Sequence, residues 1–487
     1  MGTSSAAAAV FDPIPEDLGG LLPGDTARFA PLVRAALVEF LERLPAEAQL
    51  QIVTRQAALP PTAPVALRLF ALLHSSPTLH KLGQVVARDE RLHDDLRVML
   101  QRLESMPASA PVDEIQRTVR EELAADERDS IALGNEILAE ASVAAVLPFR
   151  WHLPRNETVD GVFKVLKPGV AERLEAELIL LPGLGEFLEA ESRRLDLPTP
   201  DYSDAFEQVR SLLSREILLE VEQANLRQMA AELASLDDVE VPETLSLSTP
   251  RMTAMTRLRG VKVTDGAADR STRRRLAKTA AEALVVRPLL APRGEATFHA
   301  DPHAGNLMQT DDGRLGILDW ALTGSLQKSE RVDISRLVIA TLNLDAGRLA
   351  RIVERLADAP LDRAAALLPI RTALGGLRLG DIPTLSSVFS MLDDVATEAS
   401  VRFGGNLILF RKSLHSVQGV LRDLDPDFSL DAYVIQRTIE QALRDLPRRW
   451  ISGPFNNKYG THLSNFDVAR LMTSGPGTLM RLLRRTV

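Results

Sequence analysis

One short stretch constrains the fold of this chain more than any other. It is Phe298-His299-Ala300-Asp301-Pro302-His303-Ala304-Gly305-Asn306, followed after a turn by Leu318-Asp319-Trp320. Phe298 closes an apolar strand end, residues 306–309 read as a short strand, and Asp312-Gly313 is a hairpin turn signal. Residues 315–318 form the return strand. This puts Asp301 and Asn306 on one loop and brings Asp319 back beside Asn306.

Phosphoryl transfer in kinase-like folds uses such a set. One carboxylate, here Asp301, faces the acceptor hydroxyl, while an amide and a second carboxylate, here Asn306 and Asp319, hold Mg²⁺ on the phosphates. A lone Asp or Asn in a loop is more often a turn former. His299, Asp301 and His303 also have the chemistry of a zinc set. The D-x-x-x-x-N spacing, the hairpin and the terminal Asp agree on the first reading, and the chain has no Cys to complete a zinc site.

The rest of the composition narrows the class. A length of 487 residues accommodates two or three packed units. The net charge of -9 argues against a nucleic-acid partner. The absence of Cys fits a reducing, cytoplasmic setting. The first residues lack a basic n-region and an apolar core, so no secretory signal is expected. No apolar run approaches the roughly 18 residues of a membrane span. The basic runs at 270–278 and 481–485 leave room for peripheral contact with anionic lipid. Aromatic residues make up only 4 %, with Ala and Leu abundant, so helix should dominate.

Read in order, residues 1–25 form a loose tail. Helical spacing runs over 26–55, then 67–73, 92–103 and 112–141, with Pro60, Pro61 and Pro64 as an interruption. Alternation at Val143, Ala145, Leu147 and Phe149, and again at Val162, Lys164 and Leu166 against Phe163 and Val165, predicts two strands. Residues 154–158 with Asp160-Gly161 would connect them. Helices follow at 170–180, 185–194 and, unbroken, 203–233. Short strands come at 239–242 and 251–258, with a turn at Arg259-Gly260. The last part is helical at 328–344, 346–358, 362–375, 384–399, 406–422 and 430–446. The class is α+β and helix-rich.

Lys164 stands mid-strand, where a kinase-like small lobe keeps the lysine that holds the α/β-phosphates and pairs with a helix Glu. The plain alternative is a solvent-facing strand residue. Partners are available at Glu216, Glu220 and Glu222. The first two share a helix face and the third lies well round from both, but spacing does not choose among them. No Gly-rich loop precedes the first strand. In its place, Ala141, Ser142 and Ala144 are small enough to let phosphates approach.

These residues resemble the UbiB/AarF/ADCK family of atypical protein-kinase-like proteins, over about residues 81–344. Lys81-Leu82-Gly83-Gln84 looks like the family's K-x-G-Q signature, and 139–146 like its alanine-rich loop. Residues 162–170 are similar to its V-x-V-K-V-x-x-P-G-V strand, and 216–225 to its E-L-D-F-x-x-E-A-x-N helix. His299 to Asn306 and Asp319 match its H-A-D-P-H-P-G-N and D-F-G segments. The resemblance implies that Glu222 partners Lys164 and that Glu216 goes with the segment of Lys81, Gly83 and Gln84. It implies a bilobal kinase-like fold whose N-terminal helical extension covers the site. It also implies ATP or ADP with Mg²⁺ as cofactors, and a small-molecule or lipid-linked substrate in isoprenoid or quinone metabolism, with biosynthetic partner proteins or a homodimer. Met255 and Thr256 stand near the nucleotide hinge, where many members carry Glu. Leu218 replaces the family's Asp, Leu147 its usual His, and Trp320-Ala321 its Phe-Gly. The domains expected are a tail at 1–25, the extension at 26–125, an N-lobe at 126–260, a C-lobe at 261–445 and a C-terminal tail at 446–487. The rival expectations are a small-molecule kinase resembling aminoglycoside phosphotransferases and a nucleotide-binding regulatory scaffold.

Overall fold

The computed structural model describes residues 18, 24–60, 62–86, 110–140, 143–198, 201–266, 269–292, 294–377, 384–399 and 401–473. The chain forms two compact units, residues 1–224 with 243–257, and residues 225–242 with 258–487. The strands in chain order are β1 (Ile131–Leu133), β2 (Ala139–Glu140), β3 (Ala144–His152), β4 (Thr158–Leu166), β5 (Val239–Glu240) and β6 (Met252–Thr256). They continue with β7 (Gly260–Lys262), β8 (Ala296–His299), β9 (Leu307–Thr310), β10 (Leu315–Ile317) and β11 (Thr323–Leu326).

In the first unit the sheet order is β1-β3-β4-β6, with β2 also on β3. The β3–β4 register runs from Ala144↔Leu166 to His152↔Thr158. Because side chains alternate, one face carries Ala145, Leu147, Phe149, Phe163, Val165, Met252 and Ala254. These pack as one core with Ile115 and Val119 of the helix Val112–Glu122. The rings of Phe149 and Phe163 stack at 4.0 Å. The opposite face carries Ala144, Val146, Val162, Lys164, Thr253 and Met255.

Several expectations are corrected here. The helix expected over 112–141 stops at Glu122. Ile131 and Leu133 then alternate and join the sheet edge through β1, with their side chains against the same core. Asp160-Gly161 is not part of the connection but lies inside β4, where a Cβ on Gly161 would come within 2.3 Å of the Phe149 ring. The turn is made at Arg155 and Asn156, both at positive φ. The helix expected over 26–55 breaks at Pro45, and Leu44 takes the extended ψ of 152° that a following proline imposes.

The helix expected over 203–233 is two helices, Tyr202–Arg215 and Leu219–Leu233. Ile217 and Leu219 are both buried while Leu218 is 49 % exposed. Residues two apart point to nearly opposite sides of a helix, so burying both requires the chain to bend there. Glu216 and Glu220 therefore do not share one helix face. The helix expected over 92–103 lies outside the described residues.

The helix Pro77–Val86 carries Lys81, Gly83 and Gln84. Its N-terminus is tied to a buried carboxylate. Glu177, 2 % exposed on the helix Val170–Leu178, accepts from the Ser76 hydroxyl at 2.8 Å and the Thr78 N–H at 2.9 Å. Burial pushes this carboxyl above its ordinary value, against the pull of those hydrogen bonds. A negative charge at a helix start also complements the free N–H groups there.

The second unit holds a sheet ordered β5-β10-β9-β7 and a separate β8–β11 ladder. The expected hairpin is present, with Gly313 at φ 84° in its turn. Gly260, expected in a turn, instead opens β7, which pairs with β9, and β11 pairs with β8; no local pattern signals either ladder. The later helices fall where periodicity put them: Lys328–Leu342, Ala346–Leu356, Arg363–Gly376, Leu385–Glu398, Gly405–Leu424 and Leu430–Trp450. Beyond 446 the helix runs on to Trp450, and a further helix spans Asn465–Thr473. Arg449 holds the segment between them, donating to the Leu463 carbonyl and the Thr461 hydroxyl. In that segment His462 is fully buried and its Nε2–H donates to the Leu289 carbonyl at 2.8 Å. Burial pushes its imidazole down to about 4.

Glu177→Ala leaves two buried donors without an acceptor, so denaturant unfolding should show a loss of about 1–3 kcal/mol. Hydrogen exchange should rise first in the helix of residues 77–86, and unchanged exchange there would refute the anchoring role. His462 gives a pH signature. The unfolded imidazole titrates near 6.5 and the folded one near 4, so below pH 6.5 the unfolded state binds the extra proton. Stability should fall from pH 6.5 towards pH 4, by roughly 3 kcal/mol at most from this residue. His462→Gln should flatten that part of the profile relative to the parent chain.

Candidate active site

Two constellations carry the expected chemistry, one in each unit. In the first, Lys164 Nζ lies 2.7 Å from Glu222 Oε1, with side-chain exposures of 12 % and 1 %. β4 presents Lys164 between Val146 and Thr253, and the first turn of Leu219–Leu233 supplies Glu222. The neighbouring Gln223 fixes that turn to the sheet. Its Nε2 donates to the Thr249 carbonyl at 2.8 Å and lies 3.3 Å from the Thr253 hydroxyl. The pairing chosen is thus Glu222, among the three acids that spacing left open. Ala144 and Met255 share the Lys164 face of the sheet, whereas Ala141 and Ser142 lie outside the described residues.

A second buried pair flanks this face. Lys167 Nζ meets Glu140 Oε1 at 2.5 Å, with exposures of 17 % and 8 %. Lys167 N–H donates to the Val143 carbonyl, and Glu140 also accepts from the Ala110 N–H. Together these bonds tie the alanine-rich segment to the end of β4. Gly169, at φ 66°, then turns the chain into its helix at a conformation that favours glycine. The sequence signalled Lys167-Pro168-Gly169 only as a strand stop. Of the extension, Gly83 is buried, Glu216 is half-buried at the helix break, and the side chains of Lys81 and Gln84 lie outside those described.

In the second unit, β8 ends at His299 and β9 begins at Leu307, and the loop between them is closed by hydrogen bonds. Asn306 Nδ2 donates to the Asp301 carbonyl at 3.1 Å. The Leu318 N–H donates to the Asn306 carbonyl at 2.8 Å, which sets Asp319 beside Asn306 as the hairpin reading expected. Asp319 has φ 52°, is exposed, and accepts from the Ala321 N–H.

His299 braces the loop from beneath. It is 1 % exposed, its Nδ1 accepts from the Asp301 N–H, and its Nε2–H donates to the Leu318 carbonyl. Burial pushes this imidazole below its ordinary value, opposed by the Leu318 hydrogen bond and the nearby Asp319 and Asp301. With both ring nitrogens engaged, His299 cannot be a zinc ligand, and the zinc reading falls. Among the described residues no group of three His, Asp or Glu is placed to hold a metal. Asn306 and Asp319 nevertheless offer hard oxygen donors of the kind Mg²⁺ takes, usually one or two protein groups with phosphates and waters.

Trp320 explains the altered residue after Asp319. It is 1 % exposed, its Nε1–H donates to the Ile317 carbonyl, and its ring centroid lies 4.7 Å from that of His299. Its carbonyl accepts from Asn225 Nδ2 at 2.9 Å. One further residue escaped the sequence reading. Lys412, on Gly405–Leu424, places Nζ 3.7 Å from Asp301 Oδ1. Only a tertiary contact between segments distant in sequence could reveal it.

Because Glu222 is almost wholly buried, removing its cation is costly. Lys164→Met should destabilise the chain by about 3–5 kcal/mol, and Glu222→Gln added to it should recover part of that loss. Additive single and double variants in urea unfolding would show that the pair is not coupled.

The description "ABC1 atypical kinase-like domain" matches residues 102–353, more than half of the chain. The chain is 26 % identical over 455 residues to a "Probable protein kinase UbiB" of Xanthomonas oryzae pv. oryzae, covering 86 % of this chain and 78 % of that protein. It is 27 % identical over 346 residues to the protein of the same name in Xanthomonas euvesicatoria pv. vesicatoria, covering 66 % of this chain and 58 % of that relative. A solved complex of Rv3197 with erythromycin from Mycobacterium tuberculosis aligns at a TM-score of 0.47 and 18 % identity, over 71 % of this chain and 87 % of that one. By the family match and the motifs it spans, the chain belongs to the ABC1 (UbiB/ADCK) family of atypical kinase-like proteins.

Proposed function

We propose that the chain is a Mg²⁺-dependent nucleotide-using enzyme. It would bind ATP or ADP and either hydrolyse it or pass a phosphoryl group to a small or lipid-linked substrate of isoprenoid or quinone metabolism. The observation that carries this reading is the hydrogen-bonded loop that holds Asp301, Asn306 and Asp319 together. In this reading Lys164 holds the α/β-phosphates, and Glu222 fixes the direction of its ammonium group. Asp301 orients the attacking water or hydroxyl and takes its proton. Lys412 supplies positive charge beside that carboxylate. Asn306 and Asp319 would hold the Mg²⁺, which when bound neutralises phosphate charge. Ala144 and Met255, with Ala141 and Ser142, would line the nucleotide, and Lys81, Gly83, Gln84 and Glu216 would form the covering extension. Biosynthetic partner proteins or a second copy, and peripheral membrane contact, belong to the same proposal. Among the described residues, no helix is long and apolar enough to cross a membrane.

The pinned Trp320 favours a second reading, a nucleotide-binding scaffold whose metal loop moves little and turns over poorly. One assay separates the two. With purified chain, nucleotide and Mg²⁺, Asp301→Asn should lower turnover by about 10²–10⁴-fold while leaving nucleotide binding in place. Asp319→Asn should remove the Mg²⁺ dependence of binding. Turnover unchanged in Asp319→Asn would sink the enzymatic reading, and nucleotide-induced thermal stabilisation without any turnover would favour the scaffold.

A further inference from the structure

A cavity of about 330 Å³ in the second unit is lined by four arginines, Arg336, Arg348, Arg351 and Arg355, with the rings of Phe455 and Phe466. Three of the four arginines lie on Ala346–Leu356 at spacings of three and four, which places them on one helix face. Arg336 joins them from Lys328–Leu342. Like charges gathered in this way repel unless something opposite is present.

Among the described residues, two carboxylates, Asp467 and Asp333, lie within ion-pair distance of these guanidinium groups. Asp467 accepts from Arg348 Nη2 at 2.8 Å and lies 3.7 Å from Arg336 Nη2. Asp333 is engaged by Arg355 at 2.6 Å and lies 3.9 Å from Arg336 Nη1. Burial opposes ionisation of Asp467, but the Ser464 hydrogen bonds and the two arginines hold its carboxyl below the ordinary value. Four guanidinium groups thus face two carboxylates. Buried Arg348 Nη1 and Arg336 Nε have no hydrogen-bond partner among the described residues. Arg351 is exposed at the mouth of the cavity, and among the described residues its guanidinium makes no ion pair.

Buried donors without acceptors are costly, and guanidinium forks match the oxygens of phosphate. Phe455 and Phe466, 74 % and 50 % exposed with ring centroids 5.4 Å apart, offer an apolar surface beside these donors. We propose that this cavity is an anion site for a doubly charged phosphate or diphosphate group, borne by a molecule whose apolar part rests on Phe455 and Phe466. The site is independent of the nucleotide reading and uses none of its residues. The phosphate could come from a lipid headgroup or from a soluble phosphorylated compound.

The test uses the full chain and Arg351→Gln, whose unpartnered side chain makes the substitution tolerable to the fold. Inorganic pyrophosphate is titrated by calorimetry, and any binding at a nucleotide site is common to both proteins. Loss of one charged fork should weaken the Arg351-dependent binding by about tenfold. In parallel, co-sedimentation with phosphatidylcholine vesicles, with and without phosphatidic acid, compares the parent chain, Arg351→Gln and Phe466→Ser. Phosphatidic-acid-dependent sedimentation lost in both variants identifies a headgroup as the source. Arg351-sensitive pyrophosphate binding without that sedimentation identifies a soluble phosphate. If neither pyrophosphate nor phosphatidic acid vesicles distinguish the parent from Arg351→Gln, the proposal is overturned.

Discussion

The ion pair of Lys164 and Glu222 is the interaction around which the first unit is arranged. A carboxylate 1 % exposed is tolerable in a protein interior only with an opposite charge and good hydrogen bonds. Lys164 meets that requirement from the face of β4 opposite the apolar core, where the β3–β4–β6 register places it. Glu222 comes from the start of the helix Leu219–Leu233, which Gln223 fastens to β6. The bend at 216–218 just before it has its own cause, because a straight helix through that region could not bury both Ile217 and Leu219 while exposing Leu218.

The second unit holds its candidate loop by other means. Its loop from Asp301 to Asn306 has little hydrophobic content of its own, so its shape comes from main-chain bonds and from His299 beneath it. Trp320 fills the space beside His299 and bonds to Ile317. A loop fixed in this way presents Asp319 on an exposed, left-handed residue. Fixed placement of charged groups is what the proposed phosphoryl transfer would ask of this loop, since positioning and electrostatics supply nearly all of such catalysis.

The elements that were legible share a property: local pattern and tertiary demand agreed. The hairpin of β9 and β10 had alternation, a turn dipeptide and an apolar partner strand, and it formed as read. The later helices had long amphipathic runs. Errors arose where two periods competed. Ile131 and Leu133 fit either a helix or a strand, and the neighbouring sheet edge decided for the strand. Gly161 looks like a turn residue until the Phe149 ring lies across it. The candidate site residues are readable as types at fixed spacings. Their supports, Gln223, Lys412 and the pair of Lys167 and Glu140, are not, because each depends on a partner distant in sequence.

By itself the sequence determined the chemistry available: an Asp and Asn five positions apart, a second Asp at the end of a hairpin, a strand lysine, and helices dictated by periodicity. Those features depend on neighbours within a few residues, where the backbone geometry is short-range. Only the tertiary structure decided which acid meets Lys164, since Glu216, Glu220 and Glu222 differ in burial and direction rather than in local pattern. It alone gathered Arg336 with Arg348, Arg351 and Arg355 around one cavity. Ion pairs and cavities are made by chain segments that packing brings together, and no local period encodes that encounter.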